Sequence, residues 1–167
     1  KETGPSSKEA YGNAFAIYAL SAYYQASKDT AAKNLAIRAF QWLEKNSHDP
    51  IHKGYFQHLT REGKPVTRTA QTPSHSELGY KDQNSSIHLL EAFTELYNIW
   101  PDPLLKARLT EILLLVRDKI TNQKGNLILF FQPDWTPVSF ADSAKSTILQ
   151  HHNIDHFSVG HDIETAY

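Results

Sequence analysis

The sequence has no cysteine and no methionine among its 167 residues. With no thiol there is no disulfide framework, no thiolate nucleophile and no cysteine-bound zinc. Such a composition suits the reducing cytoplasm, and a cytoplasmic location is the expectation. An excess of either charge is also missing: 17 Lys and Arg stand against 18 Asp and Glu, a formal net charge of -1. A nucleic-acid partner, which calls for a basic face, is therefore not expected. No apolar run approaches the roughly 20 residues that cross a bilayer, so no membrane role is expected either. The chain lacks an initial methionine and a charged-then-apolar leader, and it stops at Glu164-Thr165-Ala166-Tyr167, where a helix is beginning. It reads as one segment, residues 1–167, excised or processed from a longer protein.

What is present suits a real core: 40% of the residues are hydrophobic. Lys8 to Ser27 carries apolar residues densely enough for a helix buried over a wide arc. Asp29 caps a second helix that ends near Asn46, with Leu35, Ala36, Ala39, Phe40, Trp42 and Leu43 on its inner side. Gly54 to Leu59, followed by Arg61-Glu62-Gly63-Lys64, predicts a short hairpin. A long polar stretch runs from Gly63 to Gly79, and unstructured loops of that length are often functional. Asn84 to Trp100 is a third helix. Pro101-Asp102-Pro103 opens a fourth, from Leu104 to about Ile120, marked by Leu105, Leu109, Ile112, Leu113 and Val116. Asn126 to Phe131 predicts a strand, paired with Trp135 to Phe140 across a turn at Pro133-Asp134. A histidine-rich loop leads to a fifth helix starting near Gly160-His161. The order is helix pair, hairpin, helix pair, hairpin, helix: a repeat of helical hairpins with short strands at one end.

Imidazole is the side chain best matched to proton transfer near neutral pH, and the chain has nine. His48, His52, His58 and His75 fall in loop or hairpin surroundings, and His151 and His152 in a polar loop; their pattern marks no site. Asn84 and His88 are four apart and share a helix face directly after the long loop. A plain first turn with a capping asparagine explains them equally well. His161 and Glu164 also share a face, and a carboxylate one turn away can tune a histidine and fix its tautomer. An ordinary helix N-terminus, with Asp162 and Glu164 complementing the dipole, is the competing reading. The run His151-His152-Asn153-Ile154-Asp155-His156, with His161, offers ligand types suited to zinc, manganese or iron. It has no His-Glu-x-x-His or other standard spacing, and no metal is assigned. A glycosidase needs two carboxylates across a cleft; Asp82, Glu91, Asp155 and Glu164 are available, but no spacing pairs any two.

Three segments taken together are more specific: Tyr11-Gly12-Asn13-Ala14-Phe15-Ala16-Ile17-Tyr18-Ala19-Leu20, Asn84-Ser85-Ser86-Ile87-His88-Leu89-Leu90-Glu91-Ala92-Phe93-Thr94 and Gly160-His161-Asp162-Ile163-Glu164-Thr165-Ala166. In this order, with Asp134-Trp135-Thr136-Pro137 before the last, they resemble the N-acylglucosamine 2-epimerase superfamily, and its cellobiose 2-epimerase branch in particular. The resemblance covers nearly all of this chain and less than half of a full family member. It implies an all-α fold, an (α/α)6 barrel of which this chain supplies some of the helical hairpins.

By the same resemblance, His161 matches an acid/base histidine and Glu164 a carboxylate that supports the site histidines. Asn84 and His88 match residues lining the sugar pocket, His88 being counted with the catalytic group, and Tyr11 matches an aromatic facing the sugar. The implied chemistry is proton transfer at the carbon beside an opened sugar's carbonyl, through an enediolate. It implies a mono- or disaccharide substrate and neither metal nor redox cofactor. Two positions depart from the family pattern: Ser86 stands where a second histidine is common, and Asn13 where glutamine is common. The family's early arginine would lie before Lys1, and its last acid/base histidine and late tryptophans beyond Tyr167. The Asn-x-x-x-His pattern resembles cellobiose epimerases and mannose-type aldose–ketose isomerases rather than the N-acylglucosamine epimerases proper, and leaves those two open. A partial barrel leaves apolar helix faces uncovered, so self-association is expected. A non-catalytic carbohydrate-binding α/α segment is the alternative.

Overall fold

The computed structural model describes residues 8–166; the sequence readings at the two chain ends lie outside them. Four helices carry the fold: α1 (Ala10–Ser27), α2 (Thr30–Asn46), α3 (Gln83–Ile99) and α4 (Pro103–Leu115). Helix α1 lies between α2 and α3, and α3 in turn packs against α4. The contact face of α1 is made of Ala10, Ala14, Ile17 and Ser21, all fully buried. Small side chains at helical spacing let α3 approach closely. Lys28 ends α1 in the left-handed region (φ 60°), and Asp29 starts α2 at once by accepting a hydrogen bond from Ala31 N at 2.8 Å.

Between the helices sits an aromatic core. Phe93 of α3 meets Phe40 of α2 edge to face at 5.1 Å, and Tyr55 from the connecting segment at 5.6 Å. Burying each such ring contributes roughly 1.5–3 kcal/mol. Two expected core residues stand outside it. Leu35 is 48% exposed and Leu113 is 52% exposed, because the buried stripe of each helix is narrower than its apolar periodicity suggests. The fourth helix reaches Ile120 as expected, but its last turn, Val116–Ile120, widens to π geometry. There the Thr121 N–H and hydroxyl both donate to the Val116 carbonyl, at 2.9 and 2.8 Å.

The strands are short and serve as joints. Both expected turns form, seen as bridges Leu59–Pro65 and Phe131–Pro137. Each turn also gains a partner from just before a helix. Strand β1 (Lys8–Glu9) pairs with β2 (His58–Leu59), and β3 (Lys81–Asp82) with β4 (Phe130–Phe131), both antiparallel. The extended run Asn126–Phe131 is thus divided. Leu127 bridges to Thr121 at one end, and only Phe130–Phe131 forms a ladder with β3. Two short helices follow, α5 (Lys145–Gln150) and α6 (Val159–Ala166). Helix α5 stands where the sequence suggests only loop; it is six residues long and none of them is buried, too short a stretch to show a helical apolar period.

Beneath α3 lies a buried lysine. Lys81 is fully buried, and its ammonium donates to Asp49 Oδ2 (2.8 Å), Lys53 O (2.7 Å) and Pro133 O (2.8 Å). The rings of Phe56 and Trp135 flank it, each centred 5.0 Å away. Burial pushes its pKa below the ordinary lysine value, although Asp49 pulls the other way. Gly54 (φ 70°) makes the arrangement fit, since a Cβ there would lie 2.4 Å from the Trp135 ring. The ammonium therefore ties the loops around residues 49–54 and 133–135 to the strand that leads into α3.

Candidate active site

Helix α3 begins with the groups that matter. Its cap is Asp82 rather than Asn84: the carboxylate accepts from Ser85 N at 2.6 Å and from the Ser85 hydroxyl at 2.7 Å. Burial raises the Asp82 pKa, with the Ser85 hydrogen bonds opposing. Released from capping, Asn84 lines a cavity of about 170 Å³ together with Gln83, Phe130, Asn153, His156, Ser158 and His161. One turn on, His88 is buried, and its Nδ1 meets Glu91 Oε2 at 2.8 Å. A carboxylate only accepts, so the imidazole proton sits on Nδ1 and Nε2 is left as the free nitrogen.

Helix α6 brings the second imidazole. Asp162, read from sequence as a dipole-complementing residue, does more: it accepts from Leu127 N (2.8 Å) and Asn126 Nδ2 (3.0 Å). This fastens α6 to the chain entering β4. His161 then reaches Gln83, whose Nε2 lies 2.9 Å from His161 Nδ1, and Ser158 Oγ lies 2.8 Å from the same nitrogen.

The two pairs read from sequence meet here. The rings of His88 and His161 are 6.4 Å apart and nearly perpendicular. Glu164 joins them: one ligand-type atom from each of His88, His161 and Glu164 lies within 4.8 Å of the others. Among the described residues this trio is the one cluster of three His, Cys, Asp or Glu side chains that could hold a metal ion. Glu164 is exposed, His161 half-buried. Tyr11 stands edge-on to His88 at 5.3 Å, so all five residues expected at a site share one neighbourhood or its cavity wall.

Other sequence candidates are engaged elsewhere. His151 is buried, stacks on Phe140 at 3.8 Å, and bonds Thr147 O and Ser74 Oγ. The run from His151 to His156 therefore does not converge, and only Asn153 and His156 of it reach the cavity. His48 bonds Glu111 at 2.9 Å. His58, read as a loop residue, is buried in β2 beside Glu77 at 3.6 Å. Of the carboxylates open to a glycosidase reading, Asp82 caps α3, Glu91 holds His88, and Asp155 accepts from Ser139 Oγ. Sequence reasoning missed two neighbours. Phe15, four residues after Tyr11 on the same face, lies 4.8 Å from His88 and is 44% exposed; its i, i+4 spacing was the available signal. Gln83 carried no signal beyond adjacency to Asn84.

The profile of the N-acylglucosamine 2-epimerase (GlcNAc 2-epimerase) family matches residues 1–167. A cellobiose 2-epimerase of Bacteroides fragilis is 32% identical over 163 residues, covering 96% of this chain and 37% of that protein. One from Ruminococcus albus is 36% identical over 162 residues, with the same coverage. The chain thus spans well under half the length of these relatives. Among solved structures, the cellobiose 2-epimerase of Spirochaeta thermophila superposes with a TM-score of 0.70 at 27% identity, covering 89% of this chain and 42% of that one. A D-mannose isomerase shares the fold, with a TM-score of 0.63 at 19% identity.

Proposed function

This chain belongs to the N-acylglucosamine 2-epimerase family, and on that premise we propose that the His88–His161–Glu164 cluster transfers a proton at C2 of an opened aldose. The observation that carries the reading is the convergence of two imidazoles and a carboxylate within 4.8 Å, beside a cavity walled by polar side chains. His161 acts as acid/base. Loss of the C2 proton gives an enediolate, and its return to the opposite face inverts the centre. Return to C1 instead yields a ketose, the isomerase outcome. Glu164 tunes the imidazoles, His88 and Asn84 hold the sugar's hydroxyls, and Tyr11 offers a ring face to the apolar side of the sugar. The chemistry needs donors for the developing oxyanion and uses neither metal nor redox cofactor. The substrates are unmodified sugars of the cellobiose, mannose or glucose type, the first suggested by the names of the relatives.

The segment by itself is expected to be inactive and to self-associate, since Leu113, Leu114 and Ile163 leave apolar helix faces exposed. The test therefore uses the full-length polypeptide, incubated with cellobiose or mannose in heavy water. The expected result is a 2-epimer or ketose with deuterium at C2 or C1. Sugar returned unchanged and unlabelled makes the protein a binding module, and a new reducing end makes it a glycosidase. Activity that disappears with chelation of a stoichiometric metal would assign the trio to metal binding instead.

A further inference from the structure

Gln83 is 3% exposed, opens α3, and points its side-chain amide at His161. Its two ends differ in how they are satisfied. The amide nitrogen lies 2.9 Å from His161 Nδ1, while Oε1 is buried without a partner among the described residues. A half-turn of the amide would place the NH2 group in that unpartnered position, and a buried orphan donor is less tolerated than an under-satisfied carbonyl. The packing therefore favours the observed orientation, in which Gln83 donates and Nδ1 accepts. An imidazole that accepts at Nδ1 carries its proton on Nε2 when neutral. The Ser158 hydroxyl on the same nitrogen can rotate to donate or accept, so it follows the ring's tautomer and does not choose it.

Resting on the function proposed above, we infer that Gln83 is a positioning residue that sets His161 in the Nε2–H tautomer. Glu91 sets His88 the other way, with the proton on Nδ1 and Nε2 bare. The two rings, 6.4 Å apart, then enter the reaction in opposite states. His161 offers a proton on its free nitrogen, and His88 offers a lone pair that accepts from a sugar hydroxyl, the holding role given it above.

The experiment uses full-length protein with 15N-labelled histidine. Long-range proton–nitrogen correlation reads the tautomer of His161 directly, with no need for turnover, and kcat and KM are measured beside it. In the parent, Nε2–H is expected. Gln83→Met keeps the length and removes the donor, so the tautomer bias should vanish and kcat should fall about tenfold with KM little changed. Gln83→Glu, an acceptor only, should shift the ring to Nδ1–H. An unchanged His161 tautomer in both variants, or an Nδ1–H parent, overturns the inference. So does an effect on KM alone. If the parent turns over no sugar, the proposed function fails while the tautomer measurement still decides the role of Gln83. If Gln83→Met does not fold, Gln83→Glu carries the decision.

Discussion

His88 and His161 face each other across a seam between two regions built differently. The α3 side is set in the body of the molecule: nine residues of α3 are buried, and the lysine-centred joint locks the strand before it. The α6 side has no buried residue and is held by hydrogen bonds, chiefly those of Asp162 and His161. One half of the site thus gets its geometry from packing, and the other from a few polar contacts. Packing resists displacement collectively, whereas a polar tether can be released one bond at a time.

The largest expected effect lies on the tethered side. His161→Ala should lower turnover and C2 deuterium exchange about 10²- to 10⁴-fold while sugar binding survives. Glu164→Gln should do less, and His88→Ala should weaken binding and turnover together. Exchange at the parental rate in the His161 variant would move the acid/base role to His156, which lines the same cavity.

On the packed side the next largest effect is in stability. Lys81→Met leaves the Asp49 carboxylate buried without its cation and should cost about 3–5 kcal/mol, read from denaturant unfolding. A loss below ~1 kcal/mol would show that the joint contributes little to the body. Asp162→Ala is the matched break on the other side. It should loosen α6 by about 1.5–3 kcal/mol, seen as faster amide exchange in residues 159–166, and leave unfolding of the α1–α4 body unchanged. Equal loss in both regions would erase the contrast.

The smallest effect is one of pH. Burial would raise the Asp49 carboxyl, but the Lys81 ammonium and the His52 and Ile51 N–H groups hold it below its ordinary 3.8. A lowered folded pKa means the stabilisation is complete above that value and is lost as pH falls through the folded one. Glu111, held below 4.5 against its burial by His48, Gly54 N and Arg108, adds in the same direction. Asp82, raised by burial, opposes. Asp49→Asn should therefore destabilise at neutral pH, and the gap to the parent should close as pH drops below about 4. A gap that stays constant down to pH 2 would remove Asp49 from the account.

Much of this is legible in the sequence, for identifiable reasons. The helices announce themselves because Ala14, Ile17, Phe40, Leu43, Phe93 and Leu96 recur at helical spacing and are buried as that spacing requires. Asn84–His88 and His161–Glu164 were visible as pairs because each lies within one turn. What joins the pairs was not visible. Gln83 and His161 are 78 residues apart, and Lys81 gathers residues 49, 53 and 133. No local pattern marks a lysine as buried when its partners are distant carbonyls. The same holds for β1–β2 and β3–β4, whose two-residue ladders leave no alternating signature.

The lysine joint also bears on the order in which the chain folds. Desolvating the ammonium becomes favourable only when a carboxylate and two carbonyls, from segments up to 84 residues apart in the chain (Asp49 to Pro133), have all arrived. Closing loops of that span is slow relative to forming α1, α2 or α3. The joint therefore belongs to the last steps, after the aromatic core has condensed. Weakening it should quicken unfolding and leave the refolding rate nearly unchanged. The strand that leads into α3 is thus locked in place only once the helices stand.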